Sequence, residues 1–418
     1  MEPKRVTCCI AGGGPAGVML GLLLARAGVR VLVLEKHKDF LRDFRGDTVH
    51  PSTLEVMHEL GVLEAFLKLP HQEVREIQGR IGDTQVAVAD FRFLPVRCQF
   101  IALMPQWHFL AFLANEARRD STFELAMEAE VTGLTEQNGR VTGVVARAPQ
   151  GSLEVRADLV VGADGRGSLV RQCAKLEVRD FGSPIDVLWL RLSRKPADAA
   201  QALGYFNRGR VFVTLDRGDY WQCAFVIRKG QLEELQRRGI ESIRTEIAAL
   251  VPGFADRVGE ILTWDDVKLL TVRIDRLTRW WRPGLLCIGD AAHAMSPIGG
   301  VGINLAIQDA VATANQLAQP LRENRLKEAD LAEVQRRRLF PTRVTQALQV
   351  LIQNRVIEQV LASQGTLEVP WPVRALQRWP RLRRIPARAI GLGIRPEHVR
   401  VPAPAISKPG AIAQQERL

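Results

Sequence analysis

Glycines at positions 12, 14 and 17 and an acid at position 35 are the residues whose spacing points most directly to chemistry. They lie in VTCCIAGGGPAGVMLGLLLARAGVRVLVLEK, residues 6–36. In a G-x-G-x-x-G loop, here completed by Pro15 and Ala16, each glycine has a task. Gly12 permits a tight turn, Gly14 lets the backbone approach a pyrophosphate, and Gly17 lets a helix pack closely on a strand. The amides and positive dipole end of that helix would face the phosphates. Glu35 stands where a carboxylate can accept both ribose hydroxyls, with Lys36 beside it. An acid there disfavours a 2′-phosphate, which favours FAD or NAD over NADP. Positioning these groups takes a strand (residues 6–10), a helix running to Arg26 and closed by Gly28, and a second strand (residues 29–34).

Composition sets the outer bounds. The 418 residues are 46% hydrophobic and 25% charged, typical of a globular chain long enough for two or three domains. No apolar run is long enough to cross a membrane, and the first strand starts too early for a leader peptide, so a cytoplasmic location is expected. The six cysteines form no C-x-x-C pair, which argues against a zinc site, a disulfide framework or a flavin-disulfide reductase. Cys8, Cys9 and Cys287 lie in apolar strands and are expected in the core. The net charge is +11, yet no nucleic-acid module accompanies it. The C-terminal third is rich in arginine.

Further along, PSTLEVMHEL, residues 51–60, reads as a capped helix, with Pro51, Ser52 and Thr53 at its start and Gly61 at its end. Arg42 and Arg45 precede it. Residues 74–103 alternate like antiparallel strands, 106–119 form an amphipathic helix, and 123–160 return to strands with a hairpin turn at Asn138 and Gly139. Residues 185–228 are strand-like and aromatic, 231–250 a charged helix and 266–277 one more strand. Beyond about residue 328 the chain is helical and basic, then Pro-rich, and its last 17 residues are expected to be poorly ordered.

Three motifs stand in order: GGGPAG at 12–17, GADGRGSLVR at 162–171 and GDAAHAMSPIGGVGINLAIQDA at 289–310. The trio resembles the class A FAD-dependent aromatic-ring monooxygenases, the family of p-hydroxybenzoate hydroxylase and phenol hydroxylase. The resemblance implies an α/β fold with a discontinuous Rossmann-like FAD domain from 1–73, 104–181 and 273–327. A mixed β-sheet substrate domain would come from 74–103 and 182–272, and a basic helical region and tail from 328–418. It implies that Asp290 meets the ribityl chain, that Gly300, Val301, Gly302, Ile303 and Asn304 line the flavin edge, and that Pro297 lines the face between flavin and substrate. The family often has Gln where this chain has Val301. Asp164 would hold a local turn or touch the cofactor. Arg45 and Gln106 match polar cofactor contacts, and His293 a structural or cofactor-adjacent histidine.

The chemistry so implied is hydroxylation of an aromatic or phenolic small molecule with NADH or NADPH and O2, through a flavin C4a-hydroperoxide. The protein binds, orients and excludes water. His50 is a candidate base for making a phenolate, or else a helix-capping histidine. Tyr205, Phe212 and Trp221 could line the substrate pocket, although strand alternation turns half of such residues away. Alternatives are a flavin oxidoreductase of prenyl or quinone-type lipids, a halogenase (its W-x-W-x-I-P signature is absent) or a non-catalytic nucleotide-binding protein. No metal site is expected, and the chain reads as a monomer or homodimer. Trp371, Trp379, Arg381, Arg383 and Arg384 could make a peripheral contact with an anionic membrane, or belong to a solvated cap over the FAD domain.

Overall fold

The structure, a computed structural model, describes residues 2–41, 48–198, 203–207, 209–363, 365 and 367–400. Its first strand, Lys4–Ala11, lies at the centre of the larger sheet, parallel to Val31–Leu34 on one side and Gly151–Gly162 on the other. Phe123–Ala126 and Leu285–Cys287 extend the parallel set outward. Both faces are covered, which is why these strands read as unbroken apolar runs. Cys8, Cys9 and Cys287 are fully buried there. Helix Pro15–Arg26 packs against the long helix Gly302–Arg322 and against Gln106–Ala117. An antiparallel hairpin, Glu130–Gln137 with Arg140–Ala148, adds to this sheet. It turns at Asn138 and Gly139, both at positive φ, as a two-residue hairpin loop requires.

The carboxyl ends of the five parallel strands lie along one edge. Immediately beyond them come Gly12, Glu35, Asp164 and Asp290. Open α/β sheets bind ligands at that edge.

The second sheet runs in the order Lys268–Leu270, Ile185–Ser193, Tyr220–Arg228, Arg210–Asp216, Leu203–Asn207, Glu76–Ile81, Thr84–Asp90. Only Leu203–Asn207 and Glu76–Ile81 pair in parallel. One face packs on helix Ile240–Leu250 and the following Phe254 through Leu190, Phe212, Trp221 and Phe225. The other carries Val187, Trp189, Phe206 and Val226 toward Ile298 and the C-terminal helices.

Three local expectations change. Residues 231–250 form two helices, Leu232–Arg237 and Ile240–Leu250, because Gly239 at φ 80° breaks the run. Residues 266–277 divide between two sheets, Lys268–Leu270 joining the second and Asp275–Leu277 pairing with Val178–Asp180. Helix Pro51–Glu59 has His50 as its N-cap, while Ser52 and Thr53 lie inside its first turn.

Helix Glu328–Ile352 continues through a π turn, Gln353–Ile357, into Glu358–Ala362. Helices Trp371–Arg378 and Arg384–Gly391 lie against strand Thr84–Asp90. They cover the edge of the second sheet, and the Ile390 carbonyl of the second helix also meets His50 at the start of helix Pro51–Glu59. The last 17 residues lie outside the described residues.

Candidate active site

The glycine turn is shaped by its neighbours. Gly12 has φ 108°, and a Cβ there would sit 2.3 Å from the Ala163 carbonyl oxygen. A Cβ on Gly17 would lie 1.9 Å from the Gly12 carbonyl oxygen. Neither site tolerates a side chain. At Gly14 a Cβ would meet no protein atom within 4 Å, so that side of the turn is open. Gly14 is also the N-cap of helix Pro15–Arg26 and brings no side chain to its first-turn amides, which stay available to an anion. Ala16 is buried, its Cβ facing the Gly289 backbone, and Pro15 is half-buried at the first turn.

Glu35 is buried directly behind this turn. Its Oε2 accepts the Gly13 amide at 2.9 Å and its Oε1 the His37 amide at 3.1 Å. Those two bonds fix the carboxylate plane. Lys36 is exposed beyond it.

The second and third motifs meet through a pair that sequence reading did not anticipate. Arg166 donates from Nε to Asp290 Oδ2 at 3.1 Å, and its Nη1 is buried without a protein partner. Asp164 holds its own turn. It accepts Ser168 Oγ at 2.5 Å and the Val170 amide at 3.1 Å. Burial lifts its carboxyl above the usual range despite these bonds. Gln106 opens helix Gln106–Ala117 and is half-buried; Arg45 lies outside the described residues.

The segment 294–304 is clamped from two sides. From the C-terminal helix, Gln346 Nε2 donates to the carbonyls of Asp275 and Ala294, at 2.8 and 3.0 Å. Gln349 Nε2 donates to Ser296 and Ile298, both at 3.0 Å, and Gln353 Nε2 to Ser296 Oγ at 2.8 Å. These glutamines therefore grip the chain on both sides of Pro297. Their 3- and 4-residue spacing, legible as one helix face, was the available signal.

From the other side, Thr48 Oγ1 donates to the Gly300 carbonyl at 2.9 Å. Asn304 Oδ1 accepts Thr53 Oγ1 at 2.7 Å and the His50 amide at 3.0 Å. The Asn304 side chain thus ties the start of helix Pro51–Glu59 to this loop, its Nδ2 donating to the Thr48 and Gly300 carbonyls, both at 3.4 Å. Val301 and Ile303 are also buried, so the groups this loop offers are the backbone of Gly300 and Gly302 at the start of helix Gly302–Arg322.

His50 is fully buried, with Nδ1 2.8 Å from the Ile390 carbonyl oxygen. Nδ1 therefore carries the proton, and Nε2 is buried without a partner. Burial pushes its pKa down to about 4, against the Ile390 bond, which acts to raise it. His50 thus occupies the N-cap position of helix Pro51–Glu59 without a capping bond from its ring, which is enclosed against Ile390.

His293 is equally enclosed. Its Nε2 lies 2.5 Å from Asp309 Oδ2, which also accepts the Gly289 amide at 3.0 Å. Arg338 Nε donates to Asp309 Oδ1 at 2.8 Å. Burial alone would raise the Asp309 carboxyl, but His293 and Arg338 hold it below the usual range. This network braces the turn that carries Asp290.

The aromatic candidates divide by strand alternation. Phe212 and Trp221 are buried in the core against Phe254, and half-buried Tyr205 joins them. They occupy the sheet face away from Ile298. Trp189, Phe206 and Val213 occupy the face toward it.

A family model described as an FAD binding domain matches residues 5–348. The 6-methylpretetramide 4-monooxygenase of Streptomyces rimosus is 37% identical over 357 residues, covering 84% of each chain. The chain belongs to the FAD-dependent aromatic-ring monooxygenases. A Bacillus subtilis relative named as an uncharacterized aromatic compound monooxygenase, YhjG, is 29% identical, and the match spans 75% of this chain but only 61% of YhjG. PqsL of Pseudomonas aeruginosa, described as a probable FAD-dependent monooxygenase, superposes with a TM-score of 0.74 at 23% identity, covering 86% of this chain and 99% of PqsL. OxyS anhydrotetracycline hydroxylase of Streptomyces rimosus gives 0.69 at 23%, with 93% and 76% covered. At such identities these two establish the fold alone.

For an FAD-dependent monooxygenase the residues present fit the cofactor. The open side of Gly14 and the uncapped first turn of helix Pro15–Arg26 suit the pyrophosphate, and Glu35 behind them suits the adenosine ribose. At the far end the buried, unpartnered Arg166 Nη1 beside Asp290 is a donor in want of an acceptor. Among the described residues no group of three or more His, Cys, Asp and Glu is placed to hold a metal ion.

Proposed function

We propose that this FAD-dependent monooxygenase hydroxylates an aromatic, phenolic small molecule, using NADH or NADPH and O2. The observation that carries this reading is the convergence of three distant motifs at one sheet edge, with the glutamine-clamped Pro297 segment between them and the apolar face of the second sheet. When bound, FAD supplies hydride acceptance and oxygen activation. The chain's own residues do the rest. Gly14, the helix amides and Glu35 anchor the adenosine half, while Asp290 and the Gly300 and Gly302 backbone hold the flavin half. Gln346, Gln349 and Gln353 hold Pro297 at the boundary with the substrate side. Trp189, Phe206 and Val213 form the apolar wall that positions a ring and keeps water out.

The relatives named for 6-methylpretetramide, for resorcinol and for other aromatic compounds support an aromatic substrate here. The resorcinol relative is named as NADH-specific, which favours NADH as the reductant. Work in the cytoplasm accords with six free cysteines, five of them buried. No helix among the described residues is long and apolar enough to cross a membrane.

The test is direct. The purified protein should be yellow and should oxidise NADH faster when a phenol from a panel is added, with one oxygen atom gained by the product. A colourless protein that takes up no FAD, or one that takes it up and oxygenates none of the panel, would refute this reading.

A further inference from the structure

Helices Trp371–Arg378 and Arg384–Gly391, joined by the 3-10 turn Pro380–Arg383, have one face settled by the second sheet. Gln377 Nε2 donates to the Ala87 carbonyl at 2.7 Å, and Arg383 pairs with Glu76 at 3.1 Å. Ala387 is fully buried in a cluster with Phe91 and Leu94. The opposite face has no such cover. Trp371 is 74% exposed, Trp379 58% and Ile385 62%, with Leu382 beside them. Arg374, Arg378, Arg381, Arg384 and Arg388 are exposed on the same two helices and turn. Between Glu368 and Glu397 there is no acidic residue. Glu76 and Asp90 on the sheet beneath are paired with Arg383 and Arg92.

An exposed group of two indoles and two branched aliphatic side chains, set among arginines, has a definite physical preference. The indoles and aliphatic groups gain by leaving water, and the guanidinium groups gain by meeting phosphate. A second copy of the chain docked through this same face would oppose arginine to arginine. Single-stranded RNA would use the arginines and indoles but leave Leu382 and Ile385 in water. A bilayer interface accepts all three classes at once, with Trp at headgroup level, aliphatic groups below and arginines on the anionic surface.

We propose that this face docks the enzyme on the surface of an anionic lipid bilayer. The arm that carries it also reaches the catalytic body. The Ile390 carbonyl meets His50, and Glu397 meets Arg338 at 3.5 Å, the arginine that holds Asp309. The docked face is therefore continuous with the supports of the flavin region.

The experiment uses the full FAD-loaded chain and vesicles of phosphatidylcholine, alone or mixed with phosphatidylglycerol. At low salt the protein should sediment with the mixed vesicles only, and added salt should release it. Each exposed arginine changed to glutamine should weaken partitioning about five-fold. The pair Trp371→Ser and Trp379→Ser should abolish binding while flavin content and circular dichroism stay unchanged. No sedimentation with the anionic vesicles would overturn the proposal. So would equal binding to neutral vesicles, undiminished binding by the tryptophan pair, or selective capture of single-stranded RNA with vesicles left unbound. The phenol-dependent NADH assay is read separately, so failure here leaves the proposed hydroxylation standing.

Discussion

Gln349 and Ser296 grip each other at both ends: the Ser296 amide donates to Gln349 Oε1 at 3.1 Å, and Gln349 Nε2 donates to the Ser296 carbonyl at 3.0 Å. The two residues lie 53 positions apart, and Pro297 follows the second directly. A buried side-chain amide thus replaces the backbone partner that an irregular loop lacks.

Gln349→Leu keeps the volume and removes both bonds to Ser296 and the third to the Ile298 carbonyl. The Ser296 amide is then buried without a partner, at a cost of about 1–3 kcal/mol. The expected outcome is a lower urea midpoint and a smaller share of NADH oxidation coupled to product, since the Pro297 segment loses its fixed position. Unchanged coupling would show that the ladder only stabilises the fold.

Gly14→Val separates folding from cofactor binding. No protein atom lies within 4 Å of the added Cβ, so the melting temperature of the apoprotein should change little. The new side chain occupies the face proposed for the pyrophosphate, and the purified protein should be nearly colourless. Gly12→Ala should instead fail at the level of folding, because φ 108° and a 2.3 Å approach to the Ala163 carbonyl oxygen both exclude a side chain. A Gly14→Val protein with full flavin would move the phosphate site elsewhere.

His50 makes stability depend on acid. Its folded-state pKa of about 4 lies below the ordinary value of 6.5, so the unfolded chain takes up the proton first. Its contribution is fully present above pH 6.5 and is lost as pH falls toward 4, by up to about 3 kcal/mol. Urea midpoints measured between pH 7 and pH 5 should fall less steeply in His50→Gln than in the parent. Equal slopes would assign the acid sensitivity to other groups.

Trp221 and Trp189 should behave oppositely. Trp221→Ala empties a core site beside Phe254 and should cost about 3–5 kcal/mol. Half-buried Trp189 faces Ile298, so Trp189→Ala should change KM for the phenol more than it changes stability. A raised KM in a well-folded Trp221→Ala protein would restore that residue to the pocket.

The sequence by itself determined the nucleotide end of this protein. Gly12, Gly17 and Glu35 act through short-range constraints of backbone conformation, helix start and strand end, which the order of residues carries directly. The ordered motifs at 162–171 and 289–310 extended that to a flavin and an oxygenase, because motif order survives where long-range contacts cannot be read. The tertiary structure alone decided which groups meet. It pairs Arg166 with Asp290, turns Asn304 onto Thr53, closes His50 under Ile390, and brings Gln349 to Ser296. It also sends Phe212 and Trp221 into the core against Phe254 and turns Trp189 and Phe206 to the other sheet face, toward Ile298. Alternation along a strand predicts two faces but not which one is inward, since that depends on the layers packed above and below. The glutamine ladder has a helical period, but its purpose exists only once the loop it grips has been folded against it.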